Sequence, residues 1–249
     1  MNQPVMVFQH GLTGDASQPA EVFPAGAGWR CLTPECRGHG AAPAGPPDEL
    51  SIATFASDLA AFIEAHEPPP VVLGGISMGA AISLRLAVLR PELVRALVLA
   101  RPAWLDASAP PNLAASAFAG GLLRRYSPAE ALERFEASPI ARRLAAEFPD
   151  NFASLRSCFS SPRIETTAEL LGRISTDGPG VTCAQIAAIR VPTLVLGTAQ
   201  DFVHPLPMAR ELAGLITGAR FVEITAKSED RARHVDEFRA ALAGFLNSL

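Results

Sequence analysis

The chain has 249 residues, of which 49% are hydrophobic and 18% are charged. That length and composition suit a globular protein with a sizeable core and exclude intrinsic disorder. The formal net charge of −4 gives no electrostatic reason to expect nucleic acid or an anionic membrane as a partner.

Three features that the sequence lacks bear on the cellular location of the protein and on metal binding. No charge-free apolar run reaches the roughly 18 residues of a membrane-spanning helix. The first stretch, MNQPVMVFQHGLTG, lacks the basic start and apolar core of a signal peptide. The four cysteines are scattered, with no C-x-x-C pair and no ligand-like histidine spacing. We therefore expect a cytoplasmic protein with reduced thiols, no metal and no membrane partner.

Short apolar segments alternate along the chain with longer segments of helical periodicity. Strands are predicted at Val5–Gln9, Trp29–Pro34, Val71–Ile76, Ala96–Ala100, Thr193–Thr198 and Arg220–Ile224. Helices are predicted at Ser51–His66, Ser77–Leu89, Pro205–Ile216 and Val235–Leu246. Most strand segments are apolar throughout, as in parallel strands buried on both faces. The pattern predicts an α/β fold with a mostly parallel sheet flanked by helices.

Residues 105–190 interrupt this alternation, because they contain no convincing strand. Aromatic and aliphatic residues recur there at helical spacing, with repeated proline breaks. We expect a cap of short helices over the carboxyl ends of the strands, where open α/β sheets bind ligands. The predicted units are a core of residues 1–104 and 191–249 and a cap of residues 105–190. Whether the cap phenylalanines form its core or line an acyl pocket is left open.

A serine lies between the third predicted strand and the helix that follows it, in Gly75-Ile76-Ser77-Met78-Gly79. A sharp turn there exposes the hydroxyl, and small flanking residues allow close backbone approach. A serine nucleophile also needs a base, an orienting carboxylate, and N–H donors for the oxyanion. The simpler interpretation is a tight turn with a capping serine.

A second motif, His10-Gly11-Leu12-Thr13-Gly14, follows the first predicted strand. The backbone N–H groups of Leu12 and Met78 are the predicted oxyanion-hole donors. We expect His10 itself to hold the loop by hydrogen bonds.

The chain resembles serine hydrolases of the α/β-hydrolase superfamily in five segments that occur in family order. They are VFQHGLTG, PECRGHGAA, LGGISMGAA, PTLVLGTAQDFVHP and RHVDEFRAALAGFL. The resemblance implies a small-molecule acyl substrate, no cofactor, and hydrolysis of an ester, thioester, lactone or activated carbon–carbon bond. Because the chain begins almost directly on the first strand, the sheet should be about two strands shorter than the family's usual eight.

The family order of nucleophile, acid and histidine implies two partners for Ser77. Asp201 follows a strand and is the predicted acid, ahead of Asp177 and Asp230, which do not. His234 is the predicted base because it is the only histidine after the last strand. Its rival is His204, three residues after Asp201.

Two further residues are predicted near the substrate. Arg101 ends the strand beside Ser77 and could grip a substrate carboxylate through two hydrogen bonds, or pair with a loop or cap acid. Trp104 is expected to line the pocket or anchor the cap.

Several functions therefore stay open. Ester, thioester or lactone hydrolysis is the principal hypothesis. The alternatives are a carbon–carbon bond hydrolase or lactonase for a carboxylated substrate, a cofactor-free peroxidase, and a hydrolase-like binding protein with little turnover. The sequence leaves open whether the chain forms a homo-oligomer.

Overall fold

Six parallel strands form one sheet in the computed structural model, which describes residues 3–26 and 28–249. Their spatial order is β2-β1-β3-β4-β5-β6. The strands are β1 (Val5–Gln9), β2 (Arg30–Leu32), β3 (Val71–Ile76), β4 (Val94–Ala100), β5 (Thr193–Thr198) and β6 (Arg220–Ile224). The predicted fold class is confirmed, and the sheet is shortened as expected. Residues 1, 2 and 27, which fall in the predicted core unit, lie outside the described residues.

In the described residues, five α-helices accompany the sheet: α1 (Ser17–Val22), α2 (Ile52–His66), α3 (Met78–Leu89), α10 (Leu206–Leu215) and α11 (Arg231–Leu246). Helix α2 begins where the Ser51 hydroxyl accepts a hydrogen bond from the Thr54 N–H at 3.0 Å, a side-chain N-cap. In the described ranges, no helix combines the length and apolarity needed to cross a membrane.

The last helix begins earlier than its apolar pattern predicts. Periodic apolar residues start at Val235, but α11 starts at Arg231 because the Asp230 carboxylate accepts the N–H of Arg233 at 3.0 Å and caps the helix there. The first turn is therefore polar, and it carries His234 into the helix.

The two faces of the sheet bury different helices. Side chains such as Val7 and Leu97 pack toward α2, α3 and α10. Their strand neighbours, such as Met6 and Val98, pack toward α1 and α11. Since successive strand residues point to opposite faces, both faces of the sheet must be apolar, which explains the continuous apolar runs in the sequence.

Residues 105–190 hold six α-helices, one short 3-10 helix and, in this fully described range, no strand. The α-helices are α4 (Ala114–Leu123), α5 (Pro128–Glu136), α6 (Pro139–Glu147), α7 (Pro149–Cys158), α8 (Ile164–Thr176) and α9 (Cys183–Ala187). The fully buried ring of Phe135 lies 6.3 Å from that of Phe152 and 5.2 Å from that of Phe159. These three phenylalanines thus pack in the core of the cap helices, whereas Phe118 is 41% exposed. The residue bounds of the two units stay a prediction.

Candidate active site

The turn after β3 holds Ser77 in a backbone conformation that few non-glycine residues adopt, with φ of 56° and ψ of −111°. Its flanking glycines are sterically required. A Cβ on Gly79 would lie 2.5 Å from the carbonyl oxygen of Gln9, and a Cβ on Gly75 would overlap the backbone of Gly79. The two glycines therefore let the turn fold tightly against the end of β1.

The sheet order brings the Leu12 loop beside this turn. Strands β1 and β3 are neighbours although β2 lies between them in sequence, so their carboxyl ends form a topological switch point. The Gly11 N–H donates to Gln18 Oε1 at 2.6 Å and fixes the loop. In residues 3–26 and 28–249, no group accepts a hydrogen bond from the N–H of Leu12 or of Met78. Leu12 also lines the cavity beside Ser77, so the two N–H groups stay the predicted oxyanion-hole donors.

His10 holds this loop instead of facing a substrate. Its Nδ1 lies 2.9 Å from the carbonyl oxygen of Gly11, and its Nε2 accepts the N–H of Cys36 at 3.0 Å. Both ring nitrogens of this fully buried side chain are therefore used by the backbone.

His204 is the histidine that contacts Ser77. Its Nε2 lies 2.8 Å from Ser77 Oγ, and its Nδ1 lies 2.9 Å from Asp201 Oδ2. Both contacts are satisfied when Nδ1 carries the proton and donates to the carboxylate, leaving the Nε2 lone pair to accept the serine proton. The loop between β5 and α10 thus supplies both the acid and the histidine.

The prediction that His234 is the partner of Ser77 is wrong in this structure. His234 is buried in the first turn of α11, and its Nδ1 lies 2.8 Å from the carbonyl oxygen of Thr225. The early start of α11 at the Asp230 cap is the physical reason, because it draws the residue out of the connecting loop. The rival residue, His204, occupies the place expected of His234.

The carboxylate of Asp201 is held by four other donors besides His204 Nδ1. Oδ1 accepts Asn151 Nδ2 at 3.0 Å and the His204 N–H at 3.1 Å. Oδ2 accepts Arg101 Nε at 3.0 Å and Nη2 at 2.6 Å. Burial alone would raise the pKa of Asp201, but His204 and Arg101 outweigh it and hold that pKa well below the usual value. The carboxylate is ionised at neutral pH.

Arg101 is therefore part of the acid's environment. Its backbone is left-handed, with φ of 47°, and its side chain is 13% exposed. Of its two predicted roles, the structure places it in the ion pair with a loop acid, and that acid is Asp201. Burial lowers the pKa of His204, Asp201 opposes this, and the Arg101 charge lowers it further. The imidazole is neutral at pH 7, as a general base must be.

A cavity of about 250 Å³ opens beside Ser77 and His204. Apolar walls come from residues that include Leu12, Trp104, Leu113, Leu155, Leu171 and Val203, and no phenylalanine lines it. Trp104 also donates its Nε1–H to the carbonyl oxygen of Asp177 at 2.9 Å, so it both lines the cavity and anchors the cap. A larger cavity of about 360 Å³, between the loop after β2 and α2, contains neither Ser77 nor His204.

Two residues in this region had no functional assignment from the sequence. Asn151 reaches Asp201 from α7, and no sequence signal could place that helix over the β5 loop. Lys227, after β6, lines the same cavity as Ser77. The sequence does single out Lys227, because it is the only lysine in the chain.

A metal centre finds no support in the described ranges, where no group of three or more His, Cys, Asp or Glu side chains is arranged to hold an ion.

Comparison with known proteins agrees with this architecture. The model of the family described as alpha/beta hydrolase fold matches residues 4–228. The chain belongs to the α/β-hydrolase family. RutD of Klebsiella pneumoniae, named as a candidate carbamate hydrolase, is 30% identical over 227 residues, covering 89% of this chain and 82% of RutD. BpoC of Mycobacterium tuberculosis, named as a candidate non-heme bromoperoxidase, is 30% identical over 228 residues, covering 88% and 84%.

Solved α/β-hydrolase structures share the same fold. The enol-lactonase of Burkholderia xenovorans superposes with a TM-score of 0.72 at 23% identity, covering 99% of this chain and 92% of that one. MenH of S. aureus superposes with a TM-score of 0.74 at 20% identity, covering 100% and 95%. At these identities the likeness concerns the fold.

Proposed function

We propose that this α/β-hydrolase cleaves an ester, thioester or lactone bond of a small acyl substrate through an acyl-enzyme on Ser77. One observation carries the proposal: Ser77 Oγ, His204 and Asp201 are linked by contacts of 2.8 Å and 2.9 Å at the floor of a cavity. A hydroxyl alone is a weak nucleophile, and this arrangement supplies the base and the orienting carboxylate that it lacks.

In the acylation step, Ser77 Oγ attacks the substrate carbonyl carbon while its proton passes to His204 Nε2. The carbonyl oxygen becomes an oxyanion that accepts the N–H groups of Leu12 and Met78. Met78 begins helix α3, so the helix dipole adds to its N–H. Collapse of the intermediate breaks the bond to the leaving group, which takes the proton from His204.

In the deacylation step, water attacks the acyl carbon and gives its proton to His204 Nε2. The bond to Ser77 Oγ breaks, the proton returns to Ser77, and the free acid leaves. Asp201 stays ionised throughout and stabilises the transient imidazolium. The cycle consumes one water per bond and needs no further reactant.

Arg101 was the feature that favoured a carbon–carbon bond hydrolase or lactonase with a carboxylated substrate. Two of its nitrogens bind Asp201, so its charge serves the acid. The longer polar segment before His234, where the family often has a Gly-His pair soon after the last strand, favours a binding protein with little turnover. Because His204 contacts Ser77, His234 is not needed as the base, and this argument for a binding protein no longer applies.

The test is steady-state turnover of a panel of nitrophenyl esters, acyl thioesters and lactones by the wild type and by Ser77→Ala. We expect turnover of at least one class, and loss of that turnover in Ser77→Ala with an unchanged circular dichroism spectrum. Turnover that survives in folded Ser77→Ala would refute the role of Ser77.

A further inference from the structure

The basic residues of this chain are of almost one kind. Of its 21 Lys and Arg residues, Lys227 alone is a lysine. Several surface arginines form ion pairs, such as Arg210 with Glu223 at 2.8 Å and Arg231 with Glu21 at 2.7 Å. Lys227 instead follows β6 and lines the cavity that contains Ser77 and His204. The lysine is therefore at the candidate active site.

The ammonium group of Lys227 is a charge without a local partner. It is half-buried, and no described residue forms a hydrogen bond or ion pair with it. Burial, and then the nearby Arg101, lower the pKa of Lys227. A half-buried cation of this kind is stabilised when an anion binds to it.

Neighbouring acids do not supply that anion. Glu21 is bound to Arg231, and the carboxylate of Asp201 is occupied by Arg101 and His204. Asp150 also lines the cavity, but it is exposed at the first turn of α7, where water solvates it. The cation that the cavity offers to a ligand is Lys227.

We infer that Lys227 binds a carboxylate group of the substrate, so that the preferred substrates are small acyl compounds that carry a negative charge. This inference rests on the proposed hydrolase function and adds the substrate class. It moves the role of gripping a carboxylate from Arg101 to Lys227. Since an ammonium acts as a compact point charge, it suits a single carboxylate beside the scissile bond.

The test compares two nitrophenyl esters of similar size, 4-nitrophenyl hemiglutarate, which is anionic, and 4-nitrophenyl hexanoate, which is neutral. The wild type should show the higher kcat/KM for the hemiglutarate. In Lys227→Met, the ratio of the two kcat/KM values should fall by about 10- to 100-fold, the usual effect of losing a hydrogen bond to a charged group. We expect the fall mainly in KM, and Lys227→Arg should restore part of the ratio.

Arg210→Gln is the matched control, because it removes one positive charge from an exposed ion pair on α10. It should leave the ratio as in the wild type. A wild type without preference for the hemiglutarate, a Lys227→Met ratio equal to that of the wild type, or an equal fall in Arg210→Gln would each overturn the inference. In all three cases turnover that depends on Ser77 would remain. A failure of the Lys227 inference is therefore distinguishable from a failure of the proposed hydrolase function, which would appear as no Ser77-dependent turnover.

A second measurement does not depend on turnover. Lys227 carries the only side-chain amine of the chain, so among amines trinitrobenzenesulfonate labels only that site and the α-amino group. Peptide mapping separates the labelled lysine from any labelled free cysteine. Glutarate, the product acid, should slow labelling of Lys227 in a saturable way and leave the α-amino rate unchanged. Equal labelling of Lys227 with and without glutarate would overturn the inference.

Discussion

Replacing His204 by glutamine removes the base and keeps a polar side chain of similar size. The Nε2 contact with Ser77 Oγ is 2.8 Å, and both side chains are 9% exposed, so water has little access to replace the base. A positioned general base contributes about 10²- to 10⁴-fold. We expect kcat/KM of His204→Gln to fall by about 10³-fold, equivalent to roughly 4 kcal/mol of transition-state stabilisation.

The matched control is His234→Gln. That change removes one buried hydrogen bond to Thr225, so it should lower the free energy of unfolding by about 1 kcal/mol and leave kcat/KM within about threefold. The assay is initial-rate hydrolysis of whichever ester the wild type turns over, with urea unfolding of each variant. A His234→Gln loss as large as that of His204→Gln would refute the assignment of the base.

Three further predictions concern the surroundings of the site. Arg101→Gln removes a positive charge that lowers the pKa of His204, so the acid limb of the pH profile of kcat/KM should move to higher pH. An acid limb at the wild-type pH would contradict this role of Arg101. Gly79→Ala places a Cβ 2.5 Å from the Gln9 carbonyl oxygen and should cost about 1–3 kcal/mol in urea unfolding, whereas wild-type stability would contradict the steric argument. His39, whose pKa burial lowers to about 3, should contribute about 2 kcal/mol to the stability that the wild type loses between pH 8 and pH 5, because its imidazole binds a proton in the unfolded chain and not in the folded chain. His39→Gln should reduce that difference, and an unchanged difference in urea unfolding would argue against it.

The sheet was predictable because its strands are buried on both faces. Val71–Ile76 and Thr193–Thr198 have the predicted bounds. The first strand ends at the turn that holds Ser77, and the second ends where the burial ends, at Thr198. The strand predicted at Trp29–Pro34 is shorter, at Arg30–Leu32. It lies at the sheet edge, where only β1 pairs with it, over three residues.

The histidine was not predictable from apolar periodicity. The start of α11 is set by the Asp230 cap and a polar first turn, neither of which contributes to an apolar pattern. The spacing of Asp201 and His204 does indicate the pair, because two residues three positions apart in one loop can bring a carboxylate and an imidazole into contact. The partner of Arg101 depended on the loop conformation after β5, which the sequence leaves undetermined.

The central claim is that Ser77 is an activated nucleophile, and intact mass after treatment with a fluorophosphonate probe tests it most directly. We predict one adduct on the wild type, located at Ser77 by peptide mapping, and none on Ser77→Ala. The absence of an adduct on folded wild-type protein, or an adduct that persists in Ser77→Ala, would contradict the account.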